Sequence, residues 1–444
     1  MARFQSKVCS IIVAVAMLVF VLPISVVYAQ TKTLSDAILK TNMATSVESN
    51  GKLNLTFKAE GLSEQDQQDF GFISEILNNL QLSFNGKSSG NSNGTISRQY
   101  VKMSANVGGS PYSGELWSDM NLTGETPVVK GIVKSPQLFE MILGPEYMNK
   151  YMLLDFQQIK NMPEMQAELG SMDFGKMMSE NKELQQLILT LIGKYSSQLN
   201  TNYNLISNNG NVYKVKIDDA KFKDIIREVV NLTAKNKEVQ NIIRDLVLTE
   251  MKNSGASTEE ISNTEVEMGQ MFTTLESQEF IDEFNQIMDK LVDVKILGDK
   301  GIDITFTLDE NGYVISTKGD IEFVADMAKL DKVFGESAST AAAASESIPA
   351  GIYTAGINFE INNSNINGQV NIVLPTYTSA NSFSIMELID GPQPQSQSQP
   401  EILTHTVTGG QLPKTSTHLY DLLLIGTALT LVGSLGWKNR KRYE

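Results

Sequence analysis

The chain has 444 residues, with 36 basic and 51 acidic side chains, 41% hydrophobic residues, two histidines and one cysteine. That length holds one large domain or two medium ones with an ordinary apolar core, and a net charge of −15 lacks the basic face that nucleic acid or anionic headgroups require. The lone cysteine, Cys9, sits in an apolar leader, so the rest of the chain has no thiol for disulfide staples or nucleophilic chemistry.

The leader comes first. Met1 to Lys7 is basic through Arg3 and Lys7, Val8 to Leu22 is apolar, and Pro23 interrupts the run. Val27 and Ala29 then place small residues three and one positions before the Ala29–Gln30 bond. This layout predicts a secretory signal peptide over residues 1–29, cut between Ala29 and Gln30.

Residues 31–390 read as the folded body. Thr33-Leu34-Ser35-Asp36 has the form of a helix start, with a helix through Ala44. Leu53, Leu55 and Phe57 alternate with Lys52, Asn54, Thr56 and Lys58, which is the period of a strand wet on one face. A helical stretch over 67–79 precedes renewed alternation at Leu80, Leu82 and Phe84, and Gly86 to Gly94 is rich enough in Gly, Ser and Asn to predict a turn. Strands follow at 101–107, 116–122, 128–133 and 151–154. The middle is helical: one stripe runs from Leu184 to Tyr195, and Asp218 or Asp219 caps another through Phe222, Ile225, Ile226 and Val229, continued by Val239, Ile242, Ile243 and Leu246. Between them Tyr203 to Ile217 reads as a hairpin turning at Asn208-Asn209-Gly210-Asn211. Ser257-Thr258-Glu259-Glu260 is a capping box, and Phe280, Phe284, Ile287, Met288 and Leu291 form a further stripe. Strands return at 302–308 and 313–323 around Asp309-Glu310-Asn311-Gly312. A loop over 336–350 leads to a last pair of strands, 352–361 and 370–374.

Strands at both ends with helices inserted mid-chain predict an α+β fold. The expected form is one large, curved, half-barrel-like antiparallel sheet with the helices packed on its concave face, because their apolar stripes need a partner. Two successive α+β domains divided near Asn200 are the alternative.

Residues 391–411 open with Gly-Pro-Gln-Pro-Gln-Ser-Gln-Ser-Gln-Pro and form a polar, Pro/Gln/Ser linker with little to bury. They are expected to be an extended tether spanning on the order of 60 Å. Next come Leu412-Pro413-Lys414-Thr415-Ser416, an apolar stretch over 419–437 long enough to cross a bilayer, and a basic tail over 438–444. This order resembles the LPXTG cell-wall sorting signal of Gram-positive surface proteins. The resemblance implies that Leu412 and Pro413 are the recognition pair of a sortase and Lys414 the variable position. Thr415 is then the residue whose carboxyl is joined to the peptidoglycan cross-bridge. Ser416 stands where that family usually has glycine. Removal of both ends takes away six bases and two acids, leaving 30 basic and 49 acidic side chains, a balance of −19.

The order of elements also resembles the lipoprotein-carrier-like superfamily, which includes the periplasmic LolA-type carriers and the mycobacterial LppX-type lipoproteins. The stretches that carry this are Lys150-Tyr151-Met152-Leu153-Leu154-Asp155 and Asn365-Ile366-Asn367-Gly368-Gln369-Val370-Asn371-Ile372-Val373-Leu374-Pro375. In such relatives a half-barrel around helices holds an acyl chain, so the resemblance implies a hydrophobic or lipid ligand.

An enzyme needs a nucleophile, a base or a metal set. His405, the only histidine expected in the mature chain, lies in the tether, which removes Cys/His and Ser/His arrangements and ordinary zinc sites. Neither a catalytic residue nor a cofactor is expected. Asp309-Glu310-Asn311-Gly312 lacks the alternating oxygen ligands of a calcium loop and reads as a turn. Met162, Met165, Met172, Met177 and Met178 suit helix packing, a lipophilic groove or, through their thioethers, copper(I). Two functions remain open: a wall-anchored binding module for a hydrophobic ligand, or a wall-anchored spacer or adhesin with a solid core and an acidic surface.

Overall fold

The computed structural model describes residues 32–91, 95–107, 109–123, 128–155, 190, 203, 205–253, 256–334, 349–385 and 387. Helix α1 (Lys32–Asn42) leads into β1 (Ser46–Glu60), α2 (Glu64–Asn78), β2 (Gln81–Gly90), β3 (Ile96–Val107), β4 (Ser110–Asn121), β5 (Val128–Lys134), α3 (Pro136–Leu143) and β6 (Tyr151–Asp155). A hairpin, β7 (Ile206–Asn209) and β8 (Val212–Ile217), precedes helices α4 (Asp219–Lys235), α5 (Lys237–Asn253), α6 (Thr258–Leu275) and α7 (Gln278–Lys290). The chain closes with β9 (Leu297–Leu308), β10 (Val314–Asp326), α8 (Met327–Phe334), β11 (Ile352–Ser364) and β12 (Ser382–Ser384).

The strands form one open sheet in the order β12-β6-β5-β4-β3-β2-β1-β11-β10-β9-β8-β7. Every junction is antiparallel except that of β12 with β6, which is parallel. Strands from both sides of residue 200 therefore share a single sheet, and the fold is α+β with a large, curved, unclosed, mostly antiparallel sheet. Its centre joins an early and a late segment of the chain: β1 pairs with β11 from Glu48 to Glu60, Leu53 opposite Phe359 and Leu55 opposite Ile357.

The period-2 pattern decides the faces. Leu53, Leu55 and Phe57 look inward, in line with Phe359, Ile357, Ile321 and Phe323 on the neighbouring strands. The outer face carries pairs such as Lys318–Glu360, Lys300–Asp320 and Lys214–Asp303, at 2.9–3.1 Å and open to water. Pairs of this kind contribute tenths of a kcal/mol each and chiefly keep the face wet.

Helices α1, α4 and α5 cover the inner face at the β7–β10 end. Phe222, Ile225, Val229, Val239 and Ile242 are buried there against Val215, Ile217, Ile302 and Ile304. A second helical layer, α6 and α7, packs on α4 through Met268, Phe272, Phe280, Phe284 and Met288. Ser257 caps α6 with both halves of the capping box in place. Asp218 caps α4 by accepting from Lys221 N at 2.9 Å. Asp219 does different work: its Oδ1 accepts from Ile296 N at 2.7 Å and Leu297 N at 2.8 Å, and its Oδ2 pairs with Lys223 at 2.6 Å.

Three local expectations need correction. Gly86 to Gly90 is strand, because β1 and β3 pair with it from both sides and a ladder overrides turn composition. Residues 370–374 form no strand and pair with none among the described residues; the element after β11 is β12. Helix α8 was not anticipated; it is eight residues long and joins the α6–α7 layer through Leu330, Val333 and Phe334. The stripe from Leu184 to Tyr195, apart from Thr190, and the methionine cluster lie outside the described residues, as do 391–444 and the leader.

Candidate apolar binding face

Between the helix-covered flank and the β5–β6 edge, the inner face runs across β10, β11, β1, β2 and β3. The register fills it with Ile321, Phe323, Ile357, Phe359, Leu53, Leu55, Leu82, Phe84, Val101 and Met103. No inward position of β1–β5, β10 or β11 holds a charged residue. Yet these side chains are half-buried where their neighbours on β9 are sealed, and Ile357, at the centre, is 39% exposed. Apolar surface left partly open between two well-packed flanks is the usual mark of a binding face.

Two glycines shape this strip. Gly51 is opposite Phe84, and a β carbon there would lie 2.3 Å from the ring; Gly319 is opposite Phe359, with the corresponding distance 2.4 Å. Each ring therefore lies down over a cross-strand glycine. The result is a low, continuous apolar floor instead of two raised aromatic walls.

Helix α2 closes the strip at the C-terminal end of β1. Phe70 packs against Phe57 with the rings tilted by 35° and their centroids 4.9 Å apart, and meets Tyr353 edge-on at 5.7 Å. Beyond Asn54 the β1–β2 ladder ends, and Asn78 completes it: its Oδ1 accepts from Phe57 N at 2.6 Å and its Nδ2 donates to Phe57 O at 2.9 Å. The opposite end is polar but uncharged, with Ser88, Gln99 and Ser118 in one cross-strand row on the same inner face. The strip is thus amphipathic along its length, apolar from α2 to mid-sheet and hydrogen-bonding at the far end.

The expected site residues fall elsewhere. Ala29, Gln30 and the sorting residues Leu412, Pro413, Lys414, Thr415 and Ser416 lie outside the described residues. No described helix is long and apolar enough to cross a membrane, and residues 419–437 are not among those described. Asp309 to Gly312 forms a hairpin turn, with Asp309 Oδ1 accepting from Tyr313 N at 2.8 Å and Gly312 at φ 77°. Among the described residues no three His, Cys, Asp or Glu side chains converge as a metal site. Sequence reasoning missed the open centre at Ile357, because alternation marks a face as inward without saying what covers it. No protein-family model, curated protein or solved structure matches the chain.

Proposed function

We propose that this chain is a wall-anchored surface protein whose body holds a hydrophobic ligand against the strip centred on Ile357. The observation that carries the reading is an inner face free of charge across seven strands and left half-open in its middle. Its polar, uncharged far end fits an amphiphile with an acyl or similar tail and a neutral hydrogen-bonding head. Catalysis is not part of the reading. Export through residues 1–29 and sortase joining of Thr415 to the peptidoglycan cross-bridge account for the two ends. The tether over 391–411 sets the body away from the attachment point.

Displacement of a fluorescent fatty acid tests the binding claim. Wild type is expected to bind it, and Ile357→Glu to lose binding with a stability change under about 1 kcal/mol, since the side chain is already part-exposed. Equal binding by both proteins defeats the reading. The anchoring claim has its own assay. Thr415→Ala is expected to move the protein from the wall fraction to membrane or medium, and unchanged wall attachment refutes sortase processing.

The alternative, a spacer or adhesin with a solid core, draws on the sealed β7–β10 end, where Val215, Ile302 and Leu308 are buried beneath helices. It predicts no displacement of any apolar probe.

A further inference from the structure

Between β11 and β12 the chain crosses the outer face of the sheet, passing β1 to β6 in the strand order. Along this path Ile372 is 7% exposed, seated on Trp117 and Ile132, with Tyr100, Tyr151 and Leu374 around it; Val373, pointing away, is 73% exposed. Trp117 is the centre of an aromatic row, 5.2 Å from Tyr100 and 6.1 Å from Tyr151. Burial, with a 2.7 Å hydrogen bond from its hydroxyl to Glu115, pushes the Tyr100 phenol up to about 12.

The strap is held by side chains alone. Among the described residues, Val370 to Tyr377 makes no backbone hydrogen bond to the sheet. Its two ends differ. On the β11 side a corner is pinned: Asn367 Oδ1 accepts from Thr45 N at 2.8 Å, Asn367 N donates to Ser46 O at 2.9 Å, and Ser46 Oγ donates to Gly368 O at 2.7 Å. On the far side stands β12, three residues pairing with the edge strand β6, with Phe383 lodged between Phe139 and Tyr147.

We propose that residues 370–384 are a releasable latch: the strap lifts from the outer face and β12 leaves the β6 edge as one unit, up to the Asn367–Gly368 corner, uncovering the Tyr100–Trp117–Tyr151 row. The physical ground is separability. Removing the strap and β12 breaks no ladder among β1–β11, so the opening is a local unit with its own, smaller free energy. Because the chain continues past β12, tension applied from the C-terminal side meets this three-residue pairing before any longer ladder. The latch therefore turns pull on the C-terminus into exposure of an aromatic surface, whatever holds that terminus.

Two measurements on the full chain test it. With Trp437→Phe, Trp117 is the single tryptophan. Adding Ile372→Asp is expected to shift its emission to the red and raise acrylamide quenching several-fold, while amides of β1, β9, β10 and β11 keep their exchange protection. In the unmodified chain, amides of β12 and β6 are expected to exchange through an opening separate from global unfolding. A Trp117 that stays shielded in the variant overturns the proposal, and so does loss of protection throughout the sheet. Exchange of β12 only on global unfolding overturns it as well.

Discussion

Asp219 ties α4 to the start of β9 by charge and hydrogen bonds, and removing it gives a measurable prediction. Asp219→Ala leaves the backbone N–H groups of Ile296 and Leu297 without their acceptor and leaves the Lys223 ammonium without its counter-charge. Lys223 is 9% exposed at its side chain and keeps one bond, to Val292 O at 3.1 Å. Unsatisfied donors cost about 1–3 kcal/mol, and breaking a fully buried pair about 3–5 kcal/mol. The Asp219 side chain is 24% exposed, so water relieves part of this, and about 2–3 kcal/mol is expected, a fall in Tm of about 3–4 °C for a body of this size. Asp219→Asn keeps an oxygen for both N–H groups and loses only the ion pair, so its cost should be smaller. Urea unfolding measures both variants, and equal costs for Asn and Ala would show that the two backbone bonds contribute nothing. The pH dependence has a definite sign. Burial alone would raise the Asp219 carboxyl, but the hydrogen bonds from Lys223, Leu297 and Ile296 outweigh it and hold the group below 3.8. Its contribution is therefore complete above the ordinary carboxylate range and is lost as pH falls through the depressed value, so the gap between wild type and Asp219→Asn should close only in that acid range.

Gly319→Ala should cost about 1–3 kcal/mol by pushing a methyl into the Phe359 ring; adding Phe359→Leu should restore part of that loss, and strictly additive costs in a double-mutant cycle would contradict the contact. Ser257→Ala removes the cap of α6 and should cost about 1 kcal/mol in thermal unfolding; no change would mean that α6 is held by its buried face alone. Phe280, fully buried beside Phe284 at a ring distance of 6.2 Å, should cost about 3–5 kcal/mol when cut to Ala, with the α6–α7 layer losing exchange protection first.

Local patterns carried the reading of single elements well. The alternation of Leu53, Leu55 and Phe57, the box at Ser257 and the Asn-Gly turn at Asn209-Gly210 each report an interaction within a few residues, which sequence displays directly. Failures came where a distant partner decides. Gly86 to Gly90 has the composition of a turn, yet two neighbouring strands hold it extended. Residues 370–374 alternate as a strand does, but Ile372 is turned onto Trp117 on the outer face, and no described strand pairs with the segment. Alternation shows that one side of a segment is covered; it is silent on hydrogen-bonding partners. The aromatic row itself left a trace in the sequence, since Tyr100 and Trp117 stand at outward positions between Arg98 and Lys102 and between Glu115 and Asp119.

The central claim is that an apolar molecule lies on the inner face over Ile357, and a photoactivatable fatty acid tests it most directly. After irradiation and digestion, mass spectrometry is expected to find label on β1, β2 and β11, concentrated on peptides carrying Leu53, Phe84 and Ile357, and blocked by excess unlabelled fatty acid. Label scattered over the outer face, or none that excess ligand can block, would contradict the account.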